Sequence, residues 1–193
     1  MSRKYLIVVD MQEDFVYGAL GSPEAREIVP AVVEMVKGFN GTVLFTKDTH
    51  QNNYLDTQEG KFLPVPHCIN LTKGWELIEP LELIQQEKQY PVYVKGTFGC
   101  TNLAMDLHAE HSKQEIESIE LIGVCTDICV VSNALLLKAY LPEVPIIVHT
   151  GCCAGVTHEK HEAALETMRS CQITVKYENG VYEKALKEQT ETL

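Results

Sequence analysis

Short apolar runs recur along the chain, each closed by a polar residue or a turn. Residues 5–9 read Tyr-Leu-Ile-Val-Val, 42–46 Thr-Val-Leu-Phe-Thr and 91–94 Pro-Val-Tyr-Val. Residues 118–123 read Ser-Ile-Glu-Leu-Ile-Gly, 145–149 Pro-Ile-Ile-Val-His and 172–176 Gln-Ile-Thr-Val-Lys. Runs this short and this rich in β-branched residues predict strands buried on both faces. Longer segments lie between them. Residues 23–38 open on Pro23 and close on Gly38, which suits the start and stop of a helix. Helices are also predicted over 74–88, 101–113, 127–140 and 157–170; the 127–140 segment has apolar residues at 130, 131, 134, 135 and 137. The acidic C-terminal tail is expected to be partly helical. Residues 47–73 show no period and are rich in Asn, Thr, Gly and Pro, as functional loops of this length often are. With no repeat, linker or composition break, the expectation is one domain over 1–193. Its class is α/β, three layers deep (α/β/α), with a mostly parallel six-stranded sheet and right-handed crossovers.

Composition narrows the partners. A chain of 193 residues, 45% hydrophobic, can bury a sizeable core. The formal net charge of −11 argues against nucleic acid or an anionic membrane and favours a small-molecule substrate. No run approaches the roughly 20 apolar residues of a membrane span. No signal-peptide pattern precedes the first strand, so a cytoplasmic protein is expected. Seven cysteines, an odd number, predict reduced thiols rather than a disulfide framework. Most should be small buried hydrophobes.

The polar residues that close the apolar runs carry the chemistry. Asp10 follows the first run, Asp48 and His50 the second, and Lys95 the third; Cys129 follows the fourth after a short turn. In an open parallel sheet these ends gather at one edge, where such sheets bind ligands. Cys129 sits where a strand turns into a helix. A helix N-terminus favours the reactive thiolate, and its unpaired N–H groups can hold an oxyanion. Asp10 is placed to take the thiol proton, and Lys95 to favour the thiolate by its charge. Each residue alone has a bland reading, as a loop acid, a surface lysine or a packed cysteine. Three together at three strand ends make an active site the better account.

A second set points to a metal. Asp48 and His50 are two apart, so both can face one way in an extended segment. Glu59 and His67 follow nine and seventeen residues after His50, and Pro64 and Pro66 stiffen the approach to His67. Imidazole and carboxylate ligands suit zinc, with iron or manganese as alternatives. Other residues carry less. Cys152 and Cys153 are expected in a small-residue loop after 145–149. His108 and His111 are expected to be solvated, His158 and His161 to lie at the surface of a helix's first turn, and Trp75 to anchor packing. Cys125 and Cys129 form a C-x₃-C pair with no second pair to complete a zinc site.

Taken together these segments resemble the nicotinamidases of the isochorismatase-like cysteine hydrolases. The likeness rests on Asp10 to Phe15 after the first strand, Lys47-Asp48-Thr49-His50, Pro66-His67-Cys68, Lys95-Gly96, and Gly123 to Cys129, in that order. The resemblance implies the isochorismatase-like hydrolase fold and a Cys129–Asp10–Lys95 triad. It also implies a cis peptide before Cys125, an oxyanion hole from the Cys125 and Cys129 amides, and Phe15 lining the substrate pocket. Its metal ligands would be Asp48, His50, His67 and either Glu59, the assignment preferred here, or Asp56. Its substrate would be a small aromatic amide, its place NAD salvage, and a homo-oligomer is expected. A sister amidase for carbamoyl or ureido substrates is a rival. Those relatives hold a carboxylate with basic groups, whereas the only arginines here are Arg3, Arg26 and Arg169, none at a strand end of the site. Isochorismate hydrolysis needs no cysteine nucleophile, and a non-catalytic metal-binding relative would have no reason to keep all three triad members.

Overall fold

The computed structural model describes residues 3–177, so the C-terminal tail expected to be partly helical lies outside the described residues. Among the described residues six strands form one sheet: β1 (Lys4–Val9), β2 (Thr42–Asp48), β3 (Val92–Lys95), β4 (Ser118–Val124), β5 (Ile146–Ala154) and β6 (Thr174–Lys176). Their order is β3-β2-β1-β4-β5-β6, and every pairing is parallel. The chain therefore winds one way from β1 to β3, returns, and winds the other way from β4. The reversal leaves a crevice between the carboxyl ends of β1 and β4, the usual ligand position in such sheets.

Side-chain alternation builds a core on each face. Ile7, Val9, Leu44, Ile119 and Leu121 point to one face, where they meet α6 (Thr101–Lys113), α7 (Val131–Tyr140) and α8 (His158–Ser170). Leu6, Val8, Val43, Phe45, Ile122 and Val124 point to the other, under α3 (Val29–Gly38) and α5 (Glu79–Lys88). The other α-helices among the described residues are short: α1 (Glu13–Val16), α2 (Pro23–Glu27) and α4 (Gln58–Phe62). The expected helix over 23–38 is thus two helices, broken at Ile28. Pro30 lacks an N–H and its ring would clash with the carbonyl four residues back, so it opens a new helix instead of continuing the old one. Residues 73–75 form a separate 3₁₀ turn ahead of α5, so the expected helix over 74–88 begins only at Glu79.

β5 departs most from expectation. Cys152 and Cys153 do not form a loop after residue 149; both are buried within the strand. Leu121 of β4 pairs with Val148, and Gly123 pairs with Cys153. Two steps on β4 match five on β5, so β5 carries a bulge that reverses its parity. Val148 and Cys153 thus share a core face although their numbers differ in parity. At the β1–β4 seam Gly123 adopts φ +119°, and a β-carbon there would lie 2.1 Å from the Val9 carbonyl oxygen. Only glycine fits that conformation and that approach.

Candidate active site

Three strand ends deliver Asp10, Lys95 and Cys129 to one place. Asp10 is the first residue after β1, fully buried and left-handed at φ 50°. Thr46 of β2 orients it: its hydroxyl donates to Asp10 Oδ1 (2.6 Å) and accepts from the Asp10 amide (3.2 Å). Lys95 ends β3, with Nζ 2.7 Å from Asp10 Oδ2 and 3.5 Å from Cys129 Sγ. The Lys95–Asp10 contact is thus a close, fully buried ion pair. Cys129 sits in a π-type turn, Thr126–Val130, in which the Val130 amide donates to the Cys125 carbonyl (3.1 Å) before α7 begins. Such turns recur at functional sites. The Val124–Cys125 peptide is cis.

The electrostatics correct one expectation. The thiol is not poised as thiolate by the helix start. Burial, then Asp10, pushes the Cys129 pKa well above its ordinary value, and Lys95 only partly opposes them. Burial also raises Asp10, against the pull of Lys95. Burial disfavours the Lys95 ammonium, yet Asp10, Cys129 and Asp48 together hold its pKa above the usual value. These directions favour a protonated thiol, a carboxylate able to take its proton and a charged lysine.

The second set converges as well. One ligand atom each from Asp48, His50, Glu59 and His67 lie within 4.8 Å of one another. Asp48 Oδ2 is 3.0 Å from His50 Nε2 and 3.7 Å from His67 Nε2. Glu59 Oε1 is 3.6 Å and 3.8 Å from the same two nitrogens. A tetrahedral ion with ligand arms of about 2.0–2.1 Å needs edges of roughly 3.3–3.4 Å, so these residues fit one. Of the two rival fourth ligands the cluster contains Glu59; Asp56 is exposed in the preceding 3₁₀ turn, Tyr54–Asp56. Asp48 also joins the two sets, because its Oδ1 lies 3.5 Å from Lys95 Nζ. Burial works against the Asp48 carboxylate, but the His50 hydrogen bond and Lys95 hold its pKa below the usual range.

Support for the second set comes from residues whose roles spacing alone did not disclose. Buried Gln12 accepts from the Asp48 amide (2.7 Å) and donates to the Asp48 carbonyl (2.9 Å) and the Trp75 carbonyl (2.9 Å). Asp14 accepts from the Cys68 amide (2.8 Å), next to His67. His67 Nδ1 bonds the Val65 carbonyl (2.8 Å), which turns Nε2 toward the cluster. The Tyr54 ring packs edge-on against His50 and His67, and Thr57 caps α4, which presents Glu59. Trp75 is the anchor expected, donating to Thr49 (2.7 Å) under the Lys47 ammonium. His161, expected at the surface, is buried with Nδ1 2.9 Å from Thr126 Oγ1. It shares a helical stripe with Ala164, Leu165 and Met168, and that spacing was a readable signal.

Both sets open on one cavity of about 600 Å³. Asp48, Glu59, His67, Cys125 and Cys129 line it, with Phe15 and Phe98 among its apolar walls. Phe15 stands 5.4 Å from the His67 ring, edge to face. No helix among the described residues is long and apolar enough to cross a membrane.

Known proteins agree with this architecture. The chain is 33% identical, over 84% of its length and 92% of the relative's, to the uncharacterized isochorismatase family protein PncA of Bacillus subtilis. The crystal structure of nicotinamidase/pyrazinamidase PncA from Bacillus subtilis superposes with TM-score 0.76 at 29% identity, covering 90% of this chain and 98% of that one. A pyrazinamidase of Pyrococcus horikoshii in complex with zinc gives TM-score 0.73 at 26% identity, covering 91% and 99%. The Isochorismatase domain model matches residues 4–177, and the chain belongs to that family.

Proposed function

We propose that this protein is a metal-dependent amidohydrolase that converts nicotinamide to nicotinate and ammonia through a thioester on Cys129. The observation that carries the reading is the shared cavity: Cys129 and members of the four-ligand set line the same space. The nicotinamidase and zinc-bound pyrazinamidase neighbours support it. Asp48, His50, Glu59 and His67 would hold a divalent ion, zinc being the best match to two imidazoles and two carboxylates. Such an ion, when bound, supplies a Lewis-acid position for a ring nitrogen or a water.

The protein's own groups carry the proton transfers. The thiol stays protonated until substrate enters, and Asp10, its carboxyl raised by burial, is the base that accepts the proton. Lys95 then neutralises the new thiolate at 3.5 Å. Sulfur attacks the carboxamide carbon, and the Cys125 and Cys129 amides receive the oxyanion. The C–N bond breaks as Asp10 returns the proton to nitrogen, releasing ammonia. Water adds to the thioester, the acid departs, and sulfur regains its proton. Phe15 offers the aromatic ring a wall. The same reading makes the protein a cytoplasmic enzyme of NAD salvage, working as a homo-oligomer.

The test is ammonia release from nicotinamide by metal-reconstituted protein beside Cys129→Ala. Release by the parent, with a loss of about four orders of magnitude or more in the variant at unchanged metal content, is the expected result. Comparable rates in the two would remove Cys129 from the mechanism. No release by the metal-loaded parent would direct attention to carbamoyl and ureido amides.

A further inference from the structure

Asn133 is an odd residue for its place. It lies one turn after Cys129, 1% exposed, on a helix that otherwise reads Val-Ser-x-Ala-Leu-Leu-Leu. A buried amide is costly unless its hydrogen bonds are met, and an apolar side chain there would match its neighbours Ala134 and Leu137. All of its groups are engaged. Nδ2 donates to the Cys129 carbonyl (2.8 Å) and to the Phe98 carbonyl (3.1 Å), while Oδ1 accepts from the Cys100 amide (2.8 Å).

Two of those three partners belong to residues 96–100, the irregular segment between Lys95 and α6. Gly99 of that segment seats on the same helix, where a β-carbon would lie 3.3 Å from the Ser132 carbonyl oxygen and 3.3 Å from the Leu136 side chain. Phe98 lines the cavity yet is 45% exposed. Burial alone does not hold a ring that exposed, so its position follows from its backbone. Asn133 grips that backbone at Phe98 and again at Cys100.

We propose that Asn133 is a positioning residue: it fastens residues 96–100 to the Cys129 turn so that Phe98 walls the substrate cavity. The substrate part rests on the amidase reading; the fastening does not. Ammonia release from nicotinamide would be measured on the metal-loaded parent, Asn133→Ala, Phe98→Ala and the double variant. Each single change should raise KM roughly threefold to tenfold, the scale of one lost aromatic contact, with kcat changed less. The double variant should be no worse than the worse single, because both act through the same ring. KM effects that multiply, or a parental KM in Asn133→Ala, would overturn the proposal.

Hydrogen exchange on the same proteins separates the two readings. Residues 96–100 should exchange roughly threefold to tenfold faster in Asn133→Ala, the scale of a lost hydrogen bond. Unchanged exchange refutes the fastening whether or not nicotinamide is hydrolysed. If Asn133→Ala does not fold, Asn133→Ser replaces it, since a hydroxyl can serve the Cys129 carbonyl but is too short for the segment opposite. Faster exchange at 96–100 with raised KM is again expected, and parental values in both would sink the idea.

Discussion

The two halves of the site are held by different means. Asp10 and Lys95 stand at the ends of β1 and β3 and Cys129 in the turn that follows β4, so the sheet sets where all three begin. His50, Glu59 and His67 lie on the long connection after β2 and depend on contacts from elsewhere. Gln12 grips Asp48, Asp14 holds the Cys68 amide, and Tyr54 packs edge-on against both imidazoles. A reactive group on a strand end inherits the rigidity of the core. One on a loop needs polar and aromatic contacts of its own, and those contacts are what a metal would reinforce.

Removing the metal should separate the halves most sharply. Chelation is expected to cut turnover by about two orders of magnitude or more. Hydrogen exchange should quicken across residues 49–73 while β1 and β4 keep their metal-loaded rates. Equal loosening of both regions would mean that they are not held independently. Gln12→Ala attacks the same difference from the protein side. It leaves the Asp48 amide and carbonyl buried without their partner, which should cost about 2–4 kcal/mol in urea unfolding. Metal affinity should fall roughly tenfold to a hundredfold. A variant that kept parental affinity would show that β2 alone suffices to place Asp48.

The smallest effect concerns the strand-end half. Burial holds the His161 imidazole down at a pKa of about 4, against roughly 6.5 in an unfolded chain. Below about pH 6.5 the unfolded chain takes a proton that the folded one refuses, so this contribution is lost as pH falls toward about 4. His161→Gln should flatten the pH dependence of unfolding by about 1–2 kcal/mol over that window, after allowance for solvent screening. Parallel profiles for parent and variant would assign the acid sensitivity to other groups.

The same contrast governs what could be read from sequence. The strand-end residues were legible because an apolar run that stops at Asp10 or Lys95 announces both the strand and its end. Glu59 and His67 were candidates from their place on the loop and the prolines before His67, but loop spacing does not say which side chains converge, and only the family resemblance weighed Glu59 against Asp56. Gln12 spends its side chain on the backbone of Asp48, a partner that pattern along one segment does not reveal. The reading of Cys152 and Cys153 as a loop failed because the bulge in β5 hides the continuation of the strand from a period-two count. His161 is different. Its stripe with Ala164, Leu165 and Met168 was visible, and the polarity of histidine outweighed the spacing.

Gly123 bears on how this enzyme can be redesigned. Any side chain there would press on the Val9 backbone, one residue before Asp10, and pry β1 from β4. In a saturation library scored on turnover the position should tolerate no replacement, although it touches no substrate and offers no reactive atom. A library that freezes only the cavity lining would lose its clones at this seam and credit the loss to chemistry. The seam between β1 and β4 belongs to the part of the sequence to hold constant while the cavity walls are varied.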